Sequence, residues 1–239
     1  MYLAAGDGGK VLFHLGPLEV TGALTTLWAI MAILVLFFWW ATRDIKEMPE
    51  TGKQNVVEYI VEIFIGFFEG IMGRERAVQF TPLLATFFIL ILVSNYSGLI
   101  PGAGHITGFI PPTSHWAVTG GLATVTFLTV QYSGIRKKGW GHFKHYFEPI
   151  YLTPIMLPLG IIEELIRPFS LSLRLFANVF GGEMVLFAIA TAAYTMQPAL
   201  YVLLPVVMGL ELIFGFIQAF IFTLLSAVYI EAATAEGHH

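Results

Sequence analysis

Arg174 stands in the middle of a long apolar stretch, inside the run SLSLRLFANVFGGE from Ser170 to Glu183. A guanidinium cannot shed its proton to escape a low-dielectric medium, and holding one at the centre of a bilayer costs about 2.5 to 3.5 kcal/mol even on the lenient insertion scale. On a helical wheel Arg167, Ser170, Arg174, Ala177, Asn178 and Gly181 share one stripe, because their spacings combine three, four and seven. That stripe is cationic, polar and small. Leu171, Leu173, Phe176, Val179 and Phe180 place the bulk elsewhere, so the Arg174 face can approach another helix closely. Glu183 lies nine residues beyond Arg174, half a turn away in angle and about 13 Å along the axis, which removes it as a simple salt-bridge partner. Later in the chain Glu211 and Gln218 are seven apart on a common face, with Gly215 between them. Two intramembrane carboxylates and one arginine are what an ion path needs: groups that exchange protons, and a fixed charge that does not.

Packing offers a plainer reading for each of these residues, and both readings stay open at this level. Arg174 can be satisfied by backbone carbonyls or by Glu211. Glu183 and Glu211 can be protonated, hydrogen-bonded packing residues, and Asn178 and Gln218 can serve as interhelical glue. Glu163 and Glu164 precede Arg167 by four and three residues, the spacing of local ion pairs near an interface. His14, His105, His115, His142 and His145 fall in loops or near interfaces, and His238 and His239 close the chain, so the histidines read as solvated. Gly108, Gly120 and Gly121 fit turns or close packing, with no phosphate-binding pattern around them. No Ser-His-Asp arrangement, HExxH helix or Walker loop is present, and no metal or cofactor site is expected.

The elements that must position these residues are set by composition. The 239 residues are 56% hydrophobic and only 12% charged, with a net charge of -4 too small to identify partners. A mean hydropathy of +0.76 places the chain among integral membrane proteins. The absence of cysteine excludes disulfides and thiolate chemistry. Met1 to Glu19 lacks the pattern of a signal peptide and reads as a lead-in that stays with the mature chain. The first span is expected over about Val20 to Ala41, closed by Phe37, Phe38, Trp39 and Trp40. From about Asn55 to Met72, Glu58, Glu62 and Glu69 share one face of a segment that reads as an amphipathic helix at the membrane surface, with a tucked hairpin limb as the alternative. The second and third spans run from about Pro82 to Ile100 and Ala117 to Ile135, with a Gly- and Pro-bearing loop from Gly102 to Ser114 between them.

Two longer apolar stretches follow, about Tyr151 to Tyr194 and Ala199 to Ala233. As helices they would measure roughly 66 Å and roughly 50 Å against about 30 Å of hydrocarbon, which calls for strong tilt. Pro154, Pro158 and Pro168 can kink or interrupt the first, and Thr195 to Pro198 makes the turn between the two. The fold class is therefore all-α and polytopic: about five membrane-embedded helices plus an interfacial amphipathic helix, the last two forming a long, tilted hairpin. The chain reads as one membrane domain over 1–239, with 1–19 outside, 20–150 holding the first spans and the surface helix, and 151–239 the ion-path hairpin and tail. Arg43, Lys46, Lys53, Arg74 and Arg76 lie between the first two spans, and Arg136, Lys137, Lys138 and Lys144 follow the third. The positive-inside rule then puts the N-terminus outside and the C-terminus in the cytoplasm. No repeat of fixed period supports an inverted-repeat transporter.

The segment SLSLRLFANVFGGEMV, followed on the last helix by LELIFGFIQAFIFTLLSAVYI, resembles the a-subunit of the F-type ATP synthase. HLGPLEVTGALTT, GKQNVVEYIVE and VSNYSGLIPG resemble that family's corresponding segments, so the likeness covers nearly the whole chain. It implies a stationary, non-catalytic subunit beside a rotating c-ring, with a b-subunit peripheral stalk and other synthase subunits as partners, in a bacterial plasma (inner) membrane. By position, Arg174 is similar to the family's essential arginine, Asn178 to the asparagine one turn on, and Glu183 to the acidic or histidine residue of the outer half-channel. Gln218 is similar to the glutamine facing the arginine, and Glu211 falls where some members carry histidine. A second half-channel toward the cytoplasm is implied near Glu163, Glu164, Arg167 and Ser170. The classes that compete with this one are a secondary transporter binding an anionic substrate at Arg174 and a non-conducting membrane anchor.

Overall fold

The computed structural model describes residues 11–15, 18–43, 52–100, 109–139, 153–195 and 197–235. Strands β1 (Val11–Leu15) and β2 (Leu18–Thr21) lead into helices α1 (Gly22–Thr42), α2 (Gly52–Met72), α3 (Arg74–Ser97), α4 (Trp116–Lys138), α5 (Thr153–Thr195) and α6 (Leu203–Thr234). Helices α1 and α3, α5 from Pro158 onward, and α6 with its entering turn are each long and apolar enough to cross a bilayer. Helix α4 has 23 residues, enough for the same span, but is less apolar because of its threonines and its terminal cations. Thr119, Thr124, Thr126 and Thr129 each donate to a carbonyl three or four residues back, which satisfies their hydroxyls without water.

The expected lead-in over 1–19 instead contains part of a β-ribbon, in which Val11 pairs with Thr21, Phe13 with Val20, His14 with Glu19 and Leu15 with Leu18. VLFHL and LEVT have strand-favouring residues and no helical apolar period, so a two-stranded ladder satisfies their backbone. The first helix consequently begins at Gly22 rather than Val20.

Helix α2 forms a hairpin with α3. A single residue joins the two: Gly73, at φ +76°, donates its N–H to the Glu69 carbonyl at 3.0 Å and supplies the carbonyl that Ala77 bonds at 2.9 Å. That positive φ is what a residue with no Cβ adopts freely. Phe68 and Met72 then enter a core with Ala77 and Leu84 of α3, Val130 of α4, and Ala227, Ile230 and Ala233 of α6. Glu58 and Glu62 face away from the protein. At the same end Arg76 pairs with Glu231 at 2.7 Å and donates to Thr234 at 3.3 Å, tying the start of α3 to the end of α6.

Helix α5 continues through Pro158 and Pro168, so of the kink or interruption that those prolines allow, an interruption does not occur. Pro154 costs nothing in the first turn, where an N–H has no intrahelical partner, and inside a membrane bundle neighbouring helices support a proline-bearing helix. The 43 residues of α5 extend about 65 Å. The turn after it is longer than expected, because Pro198–Val202 forms a 3-10 segment and α6 starts only at Leu203. A second core cluster packs α5 onto its neighbours through Leu171 and Leu175, against Phe87 and Ile91 of α3 and Ala219 and Phe222 of α6. His105, His142, His145, His238, His239 and Gly108 lie outside the described residues.

Candidate functional site on helices five and six

Leu171, Ser172 and Leu175 are buried, and Arg174 on the far side of the same turns is exposed. Among the described residues Arg174 has neither an ion-pair nor a hydrogen-bond partner, so Glu211 does not neutralise it. The exposed Ala177 follows on its face. Phe176 and Phe180 stack at 5.2 Å on a different side of the helix.

One turn on, Asn178 contacts α6 through a long hydrogen bond from its Nδ2 to the Phe214 carbonyl, 3.5 Å. Asn178, Glu183 and Glu211 open into one cleft of about 380 Å³, lined also by Asn95 and Gly98 from the end of α3. The Glu211 side chain lies directly over Gly182, where a Cβ would fall on its carboxylate. The missing Cβ leaves room for that carboxylate against the α5 backbone. Glu183 shares the cleft with Glu211 and lies beside the Ser114 hydroxyl, which projects from the turn before α4. The cleft thus collects two carboxyls, two amides and little else that is polar. The rest of the wall is glycine and apolar side chains, among them Val179, Val185, Val207, Leu210 and Phe214.

Gln218 is placed differently from the cleft residues. It is 5% exposed and its Nε2 has no hydrogen-bond partner among the described residues. No hydrogen bond joins it to Arg174. Gln218 is buried on α6, and Arg174 is exposed on α5.

Toward the other end of α5, Arg167 pairs with Glu163 at 2.7 Å and approaches Glu164 at 3.8 Å. Gln131 of α4 donates to Glu164 at 2.6 Å, and the guanidinium lies 5.6 Å from the ring centre of Tyr229 on α6. The local ion pairing suggested by the spacing is therefore present. The small void beside Glu164 and Arg167 is only about 10 Å³, close to the room of a single water. Ser170 is half-buried above it.

Four residues that bear on the site escaped the reading of the sequence: Asn95, Tyr96, Ser114 and Trp116. Asn95 donates to the Gly215 carbonyl at 3.0 Å and Tyr96 to the Leu212 carbonyl at 3.1 Å, so α3 grips the backbone of α6 next to Glu211. Asn95 is 6% exposed, and its Oδ1 has no partner among the described residues. An amide closing an apolar span was the available signal. Ser114 and Trp116 carried none, because each acts through a helix distant in sequence.

An arginine with no partner among the described residues, set on a long apolar helix beside a carboxyl-bearing cleft, belongs to a polytopic α-helical membrane protein. Residues 24–231 match the ATP synthase A chain family. The chain is 42% identical over 228 residues to ATP synthase subunit a of Moorella thermoacetica, covering 95% of this chain and 96% of that one. It is 40% identical over 229 residues to ATP synthase subunit a 3 of Pelobacter propionicus, covering 94% of each. Against ATP synthase subunit a of Geobacter sulfurreducens the identity is 37% over 229 residues, again 94% of each. The chain belongs to the ATP synthase A chain family and is an integral membrane, non-catalytic subunit.

Proposed function

We propose that this chain is the stationary ion-conducting subunit of a rotary ATP synthase, working as one membrane unit beside a c-ring and held by a b-subunit stalk and the other synthase subunits. Two offset half-channels load and unload H⁺ or Na⁺ on ring carboxylates, and Arg174 prevents a direct leak between them. The observation that carries this reading is the exposed, partnerless Arg174 on a helix whose opposite face is packed. A cation at that depth needs a partner, and this chain supplies none among the described residues.

The chemistry follows from the charge. A fixed cation in low dielectric favours the ionised form of a carboxylate that comes opposite it, while a protonated carboxyl facing lipid costs little. Ring sites therefore discharge at Arg174 and travel loaded elsewhere. The outer path runs through Glu183, Glu211 and Asn178, with Gln218 behind it; the inner path approaches from Glu163, Glu164, Arg167 and Ser170. The N-terminus faces outward and the C-terminus the cytoplasm of a bacterial inner membrane, as the cation distribution supports.

Two measurements test this. Affinity purification from mild detergent is expected to bring down a ring of small, carboxylate-bearing membrane subunits; a self-sufficient monomer that binds an anionic solute would instead favour a transporter. In vesicles, Glu211→Gln is expected to slow proton-coupled flux severalfold while leaving assembly of the complex at its normal level. Unchanged flux would reduce Glu211 to a packing residue.

A further inference from the structure

We propose that Trp116 and Ser172 are positioning residues that set the rotation of α5 about its own axis and so aim Arg174 outward. The inference rests on the role given to Arg174 above. Because Arg174 has no partner among the described residues, nothing on its own face holds the guanidinium in place, and its direction must come from the buried side of the helix. Ser172 is on that side, two residues earlier and about 200° around the wheel, and is 3% exposed.

Ser172 is the centre of a closed ring of hydrogen bonds with the start of α4. The Trp116 indole N–H can only donate, and it meets the Ser172 Oγ at 3.0 Å. The Thr119 Oγ1 lies 3.4 Å from the Ser172 Oγ, where either hydroxyl can donate, and Thr119 is also within 3.2 Å of the Trp116 carbonyl. The Trp116 ring also meets Phe169 edge-on, with centroids 6.1 Å apart. Phe169 and Ser172 are three residues apart on α5, so one indole grips two successive turns, through an apolar edge and a directed hydrogen bond. A turn of α5 about its axis would break both contacts together. Leu171 and Leu175 flank Ser172 in the core, but aliphatic packing tolerates small rotations that a directed hydrogen bond does not.

The chain contains no cysteine, so a single introduced thiol reports on its own surroundings. Ala177 is exposed, lines the cleft and shares the face of Arg174. Maleimide labelling of Ala177→Cys in the assembled complex is expected to change rate about threefold or more when Ser172→Ala or Trp116→Phe is added, the population shift that loss of one such hydrogen bond produces. Trp116→Phe keeps the contact with Phe169 and removes only the N–H, which guards against loss of fold. Without the reporter cysteine, both variants are expected to lower the ratio of ATP-driven proton pumping to ATP hydrolysis, and Ser172→Thr, which keeps the hydroxyl, to restore it. Parental labelling and parental coupling in both variants would overturn the proposal. Altered labelling with parental coupling would leave the clamp standing and overturn the role of Arg174 on which it depends.

Discussion

Arg174→Gln is expected to reduce gradient-driven ATP synthesis in inverted vesicles by about two orders of magnitude while the complex still assembles. A unit charge about 5 Å from a ring carboxylate, in a medium of effective dielectric about 20, contributes about 3 kcal/mol, roughly a factor of a hundred in the ratio of ionised to protonated sites. Glutamine keeps the length and polarity of the side chain and removes that contribution. Assembly is spared because the guanidinium has no ion pair or hydrogen bond to lose among the described residues, and the core side of the same turns, Leu171 and Leu175, is untouched. Arg174→Lys separates charge from shape: it keeps the charge but concentrates it on a flexible ammonium without the planar fork, and intermediate activity is expected. The measurement is ATP synthesis driven by an imposed gradient, normalised to the assembled complex by immunoblot. Normal synthesis by the glutamine variant would remove Arg174 from the mechanism.

Gly182→Ala is the second large effect, and its two consequences have opposite signs. In a helix interior alanine is favoured over glycine by about 1 kcal/mol, so by propensity the substitution stabilises α5. Its new methyl group, however, occupies the place of the Glu211 carboxylate. Glu211 must swing away, and the carboxyl leaves the position it shares with Glu183 at the cleft. Coupled proton flux is expected to fall about tenfold or more, since displacement of a positioned reactive group by about 1 Å can cost up to two decades in rate. Thermal stability of the purified complex should not fall with it. A double-mutant cycle makes the cause specific: in a Glu211→Ala background, adding Gly182→Ala should have almost no further effect, because the clash has been removed. Additive losses would show that Gly182 acts through something other than Glu211.

Much of the architecture was legible because a bilayer constrains sequence more tightly than water does. Apolar runs of twenty or more residues located α1, α3, α4, α5 and α6 to within a few residues at most ends, apart from the earlier start of α3 and the later start of α6. The glutamates of α2 marked it as amphipathic. The misses have local causes. The β-ribbon lies in a short segment with no helical period, the prolines of α5 proved compatible with a continuous helix, and the turn before α6 took up five further residues as a 3-10 segment. At the site, helical angle alone put Arg174 on a different stripe from Leu171, and the structure has the first exposed and the second buried. Angle also grouped Glu211 with Gln218, yet the cleft takes in Glu211 and leaves Gln218 packed below it, since residues seven apart differ by about 10 Å in height.

By itself the sequence determined that this chain lives in a membrane, that six helical segments follow one another, and that one arginine in a long apolar stretch shares its stripe with small and polar residues. Those properties are local, set by composition and by the angle between successive residues. Only the tertiary structure decided that Asn95 holds the Gly215 carbonyl, that Glu211 lies on Gly182, that Ser114 comes beside Glu183, and that Trp116 reaches Ser172. Each of these joins helices distant along the chain, and periodicity records which face of a helix is polar without recording which other helix that face meets.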